Sequence, residues 1–143
     1  MLSNAMVYPT IPATDIQRAK KFYQEKIGLK IVAEDGSPGV MFQAGRDSML
    51  YIYQRPASHC EHTLAFFNVD NLESEVTALK GKGVMFEEYD IPSMNIKTVN
   101  SITTSEGMKA AWFKDSEGNT LGIGELTDAR MKSMMMQNVG IFE

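Results

Sequence analysis

At 143 residues, with 43% hydrophobic and 22% charged positions, the chain is one domain's worth of ordinary globular composition, which excludes a fibre or a wholly disordered tail. A net charge of −4 gives no reason to expect nucleic acid or an anionic membrane as partner, and no apolar run approaches the ~20 residues of a membrane span. No charged-then-apolar secretory start is visible, and the one cysteine, Cys60, permits no internal disulfide, so a cytoplasmic protein is expected.

Ser3, Asn4 and Ala5 ahead of Met6 look like a cloning scar, so residues 1–5 are set aside from the fold. Residues 7–12 read as a strand, with Pro9 and Pro12 placing it at an edge or an irregular start. Asp15 is a good N-cap, and Ile16, Ala19, Tyr23 and Ile27 then form one apolar stripe with Arg18, Lys20, Lys21 and Lys26 largely off it. Gly28 ends that helix and residues 29–32 lead away as a strand. After a turn over residues 34–39 come two more strands, 40–43 and 49–53, hinged at residues 45–47.

The pattern then repeats. Residues 63–69 are strand-like, Asp70 is the expected cap of a second helix with Glu73 reaching back, and Leu72, Val76 and Leu79 are its apolar stripe. Gly83 ends it, and residues 84–89 read as the following strand. Asp15 precedes Gly28 by 13 positions and Asp70 precedes Gly83 by the same interval, which argues for an internal duplication. Residues 90–106 form a long irregular stretch of the kind that serves as a lid or specificity loop.

The stretch 110–126 reads as strand, turn, strand. Trp112 and Phe113 favour a strand, and residues 115–119 supply turn chemistry. Thr120, Gly122 and Gly124 share one face of the last strand, and Leu121, Ile123 and Glu125 share the other. The glycine-lined face is expected to leave space for a ligand. Thr127 or Asp128 is placed to cap a short terminal helix with Met131, Met134 and Met135 along one side, followed by an apolar tail at 139–142.

Two tandem βαβββ modules with capped first helices and a closing DxxGN turn resemble the vicinal oxygen chelate superfamily, which includes glyoxalase I, the bleomycin- and fosfomycin-resistance proteins and extradiol dioxygenases. The resembling stretches are YPTIPATDIQRAKKFYQEKIGLK, HTLAFFNVDNLESEVTALKGKGV, FEEYDIP and AAWFKDSEGN, within residues 6–126. The resemblance implies an α+β fold, with modules over about 6–56 and 60–126 curling into a cup-like open sheet around a pocket. Residues 127–143 are the terminal helix and tail.

The resemblance also implies where metal ligands would project in the metal-dependent members. Tyr8, Leu64 and Gly122 stand at three of those positions, and the fourth falls within 51–53, where Tyr51 and Tyr53 stand and the register is open. Leucine and glycine side chains ligate nothing, and tyrosine is a poor ligand for hard or borderline divalent ions at neutral pH. No metal or other cofactor is expected, and the glyoxalase reaction would lack its Lewis acid.

The run His59, Cys60, Glu61, His62 is read as a polar linker. His62 shares strand parity with Leu64 and Phe66, which brings it to the pocket mouth as a hydrogen-bonding group or candidate catalytic base. The expected ligand pocket is Tyr8, Tyr51, Tyr53, His62, Leu64, Phe66, Trp112 and Gly122, holding a small, partly aromatic organic molecule without a metal. As in the bleomycin-resistance proteins, a homodimer is expected. The alternative is a lyase, isomerase or dioxygenase with a divalent metal on a shifted ligand set that includes His62 and Glu125.

Overall fold

The computed structural model describes residues 1–34, 39–57, 60–130 and 132–133. The chain divides into two compact units, Met1–Cys60 with Ser116–Asn119, and Glu61–Asp115 with Thr120–Glu143. Part of the expected 34–39 turn, His59, the methionine stripe and the apolar tail lie outside the described residues. A helical turn does start at Asp128, which accepts hydrogen bonds from the Arg130 N–H (2.9 Å) and, through its carbonyl, from the Lys132 N–H (3.0 Å).

The first unit runs β1 (Thr10–Ala13), α1 (Ile16–Lys21), β2 (Lys30–Ala33), β3 (Gly39–Ala44) and β4 (Ser48–Gln54). Its sheet has the order β1-β4-β3-β2, with β1 parallel to β4 and the other pairs antiparallel. Alternation decides the core: Ile11, Ala13, Val40, Phe42, Leu50 and Ile52 are buried on one face, where Ala19, Phe22 and Tyr23 of the helical segment are also buried. A helix of six residues is marginal alone, so this packing holds it. Tyr23 is fully buried, its ring 5.5 Å from Phe22 and 5.7 Å from Phe42.

Asp15 caps α1 as its position suggests, accepting from the Gln17 and Arg18 N–H groups. After α1 the helix widens into a π turn over Phe22–Lys26, and Gly28 leaves it with φ +75°, a conformation that glycine adopts without a β-carbon penalty.

The turn segment Ser116–Asn119 is tied into this unit by Glu117, whose side chain is 2% exposed. Its carboxylate accepts from the Arg18 guanidinium (2.7 and 2.9 Å), the Asp15 N–H (3.0 Å) and the Thr14 hydroxyl (3.1 Å). Asn119 donates to the Pro12 carbonyl at 2.9 Å. These bonds hold the glutamate's pKa down to about 2, against the opposing effect of its burial.

The second unit runs β5 (Thr63–Asn68), α2 (Leu72–Gly81), β6 (Asp90–Ile91), β7 (Ile96–Lys97), β8 (Thr103–Ser105), β9 (Met108–Lys114) and β10 (Thr120–Leu126). Its main sheet has the order β5-β10-β9-β8, with β5 parallel to β10. This is the connectivity of the first unit repeated: first strand beside fourth, then third, then second. The fold is α+β, two open four-stranded sheets each built from a βαβββ module. Leu72, Val76 and Leu79 of α2 are buried, as are Ala111, Phe113, Leu121 and Ile123 of β9 and β10.

Two details differ from the sequence expectation. Asn71, not Asp70, caps α2, its side chain accepting from the Ser74 N–H at 3.0 Å. Leu72 N–H is taken by Glu125 Oε1 at 3.0 Å, and Glu73 pairs with Lys109 at 2.8 Å instead of reaching back to the cap. Residues 84–89 are not a sheet strand; Phe86 makes a single bridge to Phe113. The edge of β9 is shared, residues 112–114 facing 85–87 and residues 108–110 facing β8.

Candidate functional site

In the second unit the helix-distal face of the sheet opens into a cavity of about 500 Å³, within the usual range for small-molecule sites. Its apolar wall is Trp112, Tyr89, Ile91, Met94 and Ile96. Polar groups come from Glu61, His62, Thr63, Glu87, Lys114 and Thr120.

The wall is built mostly by the segment expected to be an irregular lid. Asp90 and Ile91 pair with Lys97 and Ile96 as a small antiparallel ladder, and Met94 stands in the turn between them. A second tight turn follows, where Asn100 (φ 52°) and Ser101 (φ 74°) reverse the chain between Val99 and Ile102. Glu88 anchors the second turn and the residue that follows β7, accepting from Ser101 Oγ at 3.0 Å and Thr98 Oγ1 at 2.6 Å. Those hydroxyl bonds, that of Thr98 foremost, lower the Glu88 pKa. Thr98 Oγ1 also accepts from the Tyr89 N–H at 2.7 Å, so the cavity wall is fixed from behind.

Trp112 forms the floor. Tyr89 meets it edge-on, with ring centroids 5.4 Å apart and planes at 68°. Burial, then the nearby Glu87 carboxylate, raises the Tyr89 pKa, so its hydroxyl keeps its proton. Lys114 Nζ donates to Thr120 Oγ1 at 2.5 Å.

The expected pocket residues divide. His62 and Trp112 line this cavity; Leu64, Phe66 and Gly122 are not among its lining residues. A register shift explains part of that. Thr63 pairs with Thr120 but Ala65 pairs with Leu121, which leaves Leu64 as the extra residue of a bulge and breaks the expected alternation from His62 through Leu64 to Phe66.

The glycine face of β10 is not vacant either. Phe66 lies across it, with ring atoms 2.4 Å from the position of a β-carbon at Gly122 and 2.6 Å from one at Gly124. Phe66 itself remains 44% exposed, so it presents an aromatic surface where open space was expected.

Tyr8, Tyr51 and Tyr53 belong to the first unit. The register Thr10↔Tyr51 and Pro12↔Tyr53 places both β4 tyrosines on the face opposite α1, with rings stacked at 6.0 Å and 9°. Tyr8, two residues before Thr10, has the same parity and is 39% exposed. The Tyr51 ring covers Gly39, as Phe66 covers the β10 glycines. Sequence reasoning missed Tyr89, Ile91, Met94, Ile96, Glu87 and Lys114. The alternation of Trp112 with Lys114 was available as a signal for the last of these.

The family model for the Glyoxalase/Bleomycin resistance protein/Dioxygenase superfamily matches residues 5–123. The chain belongs to this superfamily. No curated protein matches the sequence. Among solved structures, the superfamily fold is shared with lactoylglutathione lyase from Agrobacterium tumefaciens, at TM-score 0.62 and 20% identity over 85% of this chain and 93% of that one. It is shared with TnmS3, an antibiotic binding protein from Streptomyces sp. CB03234, at TM-score 0.61 and 22% identity over 86% and 98% of the two chains. The fosfomycin resistance protein FosX from Mesorhizobium loti matches at TM-score 0.63 and 12% identity over 90% and 97%.

The residues at the superfamily's metal positions do not fit a divalent cation. Leu64 and Gly122 offer no donor, and the Phe66 ring stands where a longer side chain at 122 would have to pass. Among the described residues, no three His, Cys, Asp or Glu gather into a metal-binding group. The two residues of the shifted set, His62 and Glu125, stand in different surroundings. His62 lines the cavity, whereas Glu125 shares the face of Leu121 and Ile123 and caps α2 through Leu72. Among the described residues, no helix is long and apolar enough to cross a membrane.

Proposed function

We propose that the protein binds a small, partly aromatic organic molecule in the cavity of its second unit, without a metal. The observation that carries this reading is the cavity itself: about 500 Å³, floored by Trp112 and Tyr89 and walled by Ile91, Met94 and Ile96, with a few polar groups to orient a ligand. The antibiotic-binding relative with the same fold supports it as an analogy. His62 serves as a hydrogen-bonding group at the cavity edge, and the exposed Phe66 ring is further aromatic surface on the same unit. A homodimer and a cytoplasmic location belong to the same reading, the first by likeness to bleomycin-resistance proteins and the second from the lone Cys60.

Trp112 is the chain's one tryptophan and lines the cavity, so it serves as the single donor for a dye bound to the protein. Titration with the neutral dye 6-propionyl-2-dimethylaminonaphthalene (prodan) is expected to give saturable energy transfer from Trp112, lost in a Tyr89→Ala/Met94→Ala variant. Dye binding that survives the double substitution, or no binding at all, would count against the cavity as the site. Light scattering on a size-exclusion column is expected to give twice the chain mass.

A further inference from the structure

We infer that the cavity takes a planar aromatic zwitterion, with its anionic group at Lys114 and its cationic group at Glu87. This rests on the ligand-binding reading above and adds the ligand's charge.

The register of residues 85–87 against β9 places both groups. Glu87 N–H donates to the Trp112 carbonyl at 2.8 Å and Lys114 N–H donates to the Met85 carbonyl at 3.2 Å, on either side of the Phe86–Phe113 bridge. Glu87 is therefore directly across from Trp112 and shares its face of the sheet, and Lys114, two residues on, shares it too. All three line the cavity. Phe86 and Phe113 have the opposite parity, and their rings pack together with centroids 5.4 Å apart.

Opposite charges at diagonal positions on one face lie within reach of an ion pair. These do not pair. Lys114 turns away across β10, where its ammonium donates to the neutral hydroxyl of Thr120. Among the described residues, neither Lys114 nor Glu87 has an ion-pair partner. The ammonium keeps two further N–H donors, and the carboxylate keeps all its acceptor positions. The ammonium is thus held on the β10 side of β9 and the carboxylate comes from the 85–87 side, both on the face that carries Trp112.

A ring stacked on Trp112 reaches both. A carboxylate at one end meets Lys114 and the Thr120 and Thr63 hydroxyls. An ammonium at the other end meets Glu87 beside the Trp112 and Tyr89 rings, where cation–π attraction adds to the ion pair. The other ionisable groups at the cavity, Glu61 and His62, are exposed at its edge, where solvent screens them.

The test is displacement of prodan by three compounds matched in size: 4-(aminomethyl)benzoate, 4-methylbenzoate and 4-methylbenzylamine. The zwitterion is expected to displace the dye at about tenfold lower concentration than either singly charged compound. Lys114→Met should erase its advantage over the amine, and Glu87→Gln its advantage over the benzoate, with a cooperative melting transition and prodan binding kept in both. Equal potency across the three compounds, or an advantage that survives both substitutions, overturns the inference while leaving the cavity as a binding site. Failure of prodan to bind overturns the cavity reading and the inference with it.

Discussion

The ring of Phe66 lies against Gly122, with Cδ2 2.4 Å from where a β-carbon on that residue would stand. The absent side chain at 122 is thus the condition for Phe66 to lie flat on the sheet, and one residue's missing atoms are another residue's place.

Gly122→Ala is therefore expected to destabilise the fold by about 1–3 kcal/mol through overpacking. A Phe66→Ala/Gly122→Ala pair should recover part of that loss, because the two positions are in contact and do not add. Chemical denaturation of the four proteins in the cycle measures the coupling. Additive losses would mean that the two residues do not constrain one another.

Glu117 gives a pH dependence with a definite sign. Its folded pKa of about 2 lies below its ordinary 4.5, so its contribution is present above pH 4.5 and is lost as pH falls through about 2. The full shift corresponds to at most about 3 kcal/mol, less whatever solvent screening takes at Arg18, whose side chain is half exposed. Glu117→Gln should lower stability at pH 7 by about 1–3 kcal/mol. It should also flatten the loss that the wild type shows between about pH 5 and pH 2. Denaturant titrations across that window provide the check, and parallel curves for the two proteins would contradict it.

At the start of α2, Asn71→Ala is expected to cost about 1 kcal/mol, as for other N-cap removals. Asp70→Ala should stay within about 0.5 kcal/mol. The reverse order in thermal melts would restore Asp70 as the cap.

These cases show what was legible in the sequence. Asp15 and Gly28 are local signals, read from spacing and backbone chemistry, and both act as expected. At α2 two adjacent acceptors competed, and the choice of Asn71 goes with a distant partner, Glu125, which takes the first helical N–H. The duplication was visible as repeated spacing, and the structure shows it as repeated sheet order.

The bulge at Leu64 and the placing of Phe66 over Gly122 are cross-strand facts that no periodicity within one strand contains. Nor could pattern show that residues 84–89 would keep only a single bridge to β9, at Phe86, with Glu88 bound by Thr98 and Ser101 instead. Much of the candidate site was missed for that reason. Its wall is assembled by turns whose register depends on side-chain bonds.

Metal content follows from the donor set. Protein purified without chelators is expected to carry no stoichiometric Zn, Ni, Fe or Mn, and a His62→Ala variant should give the same elemental analysis. Gly122→Glu should not create metal affinity, because the Phe66 ring blocks the path of the new side chain. A stoichiometric ion lost with His62 would favour the enzyme reading.

The central claim is that a ligand sits on Trp112. The indole N–H of this single tryptophan gives one resonance in a nitrogen–proton correlation spectrum, and titration with 4-(aminomethyl)benzoate and with prodan reads it directly. A saturable shift of that resonance, together with the backbone amides of Tyr89 and Ile96, is the predicted result. Binding that moves Tyr51 and Tyr53 while the Trp112 indole stays still would contradict the account.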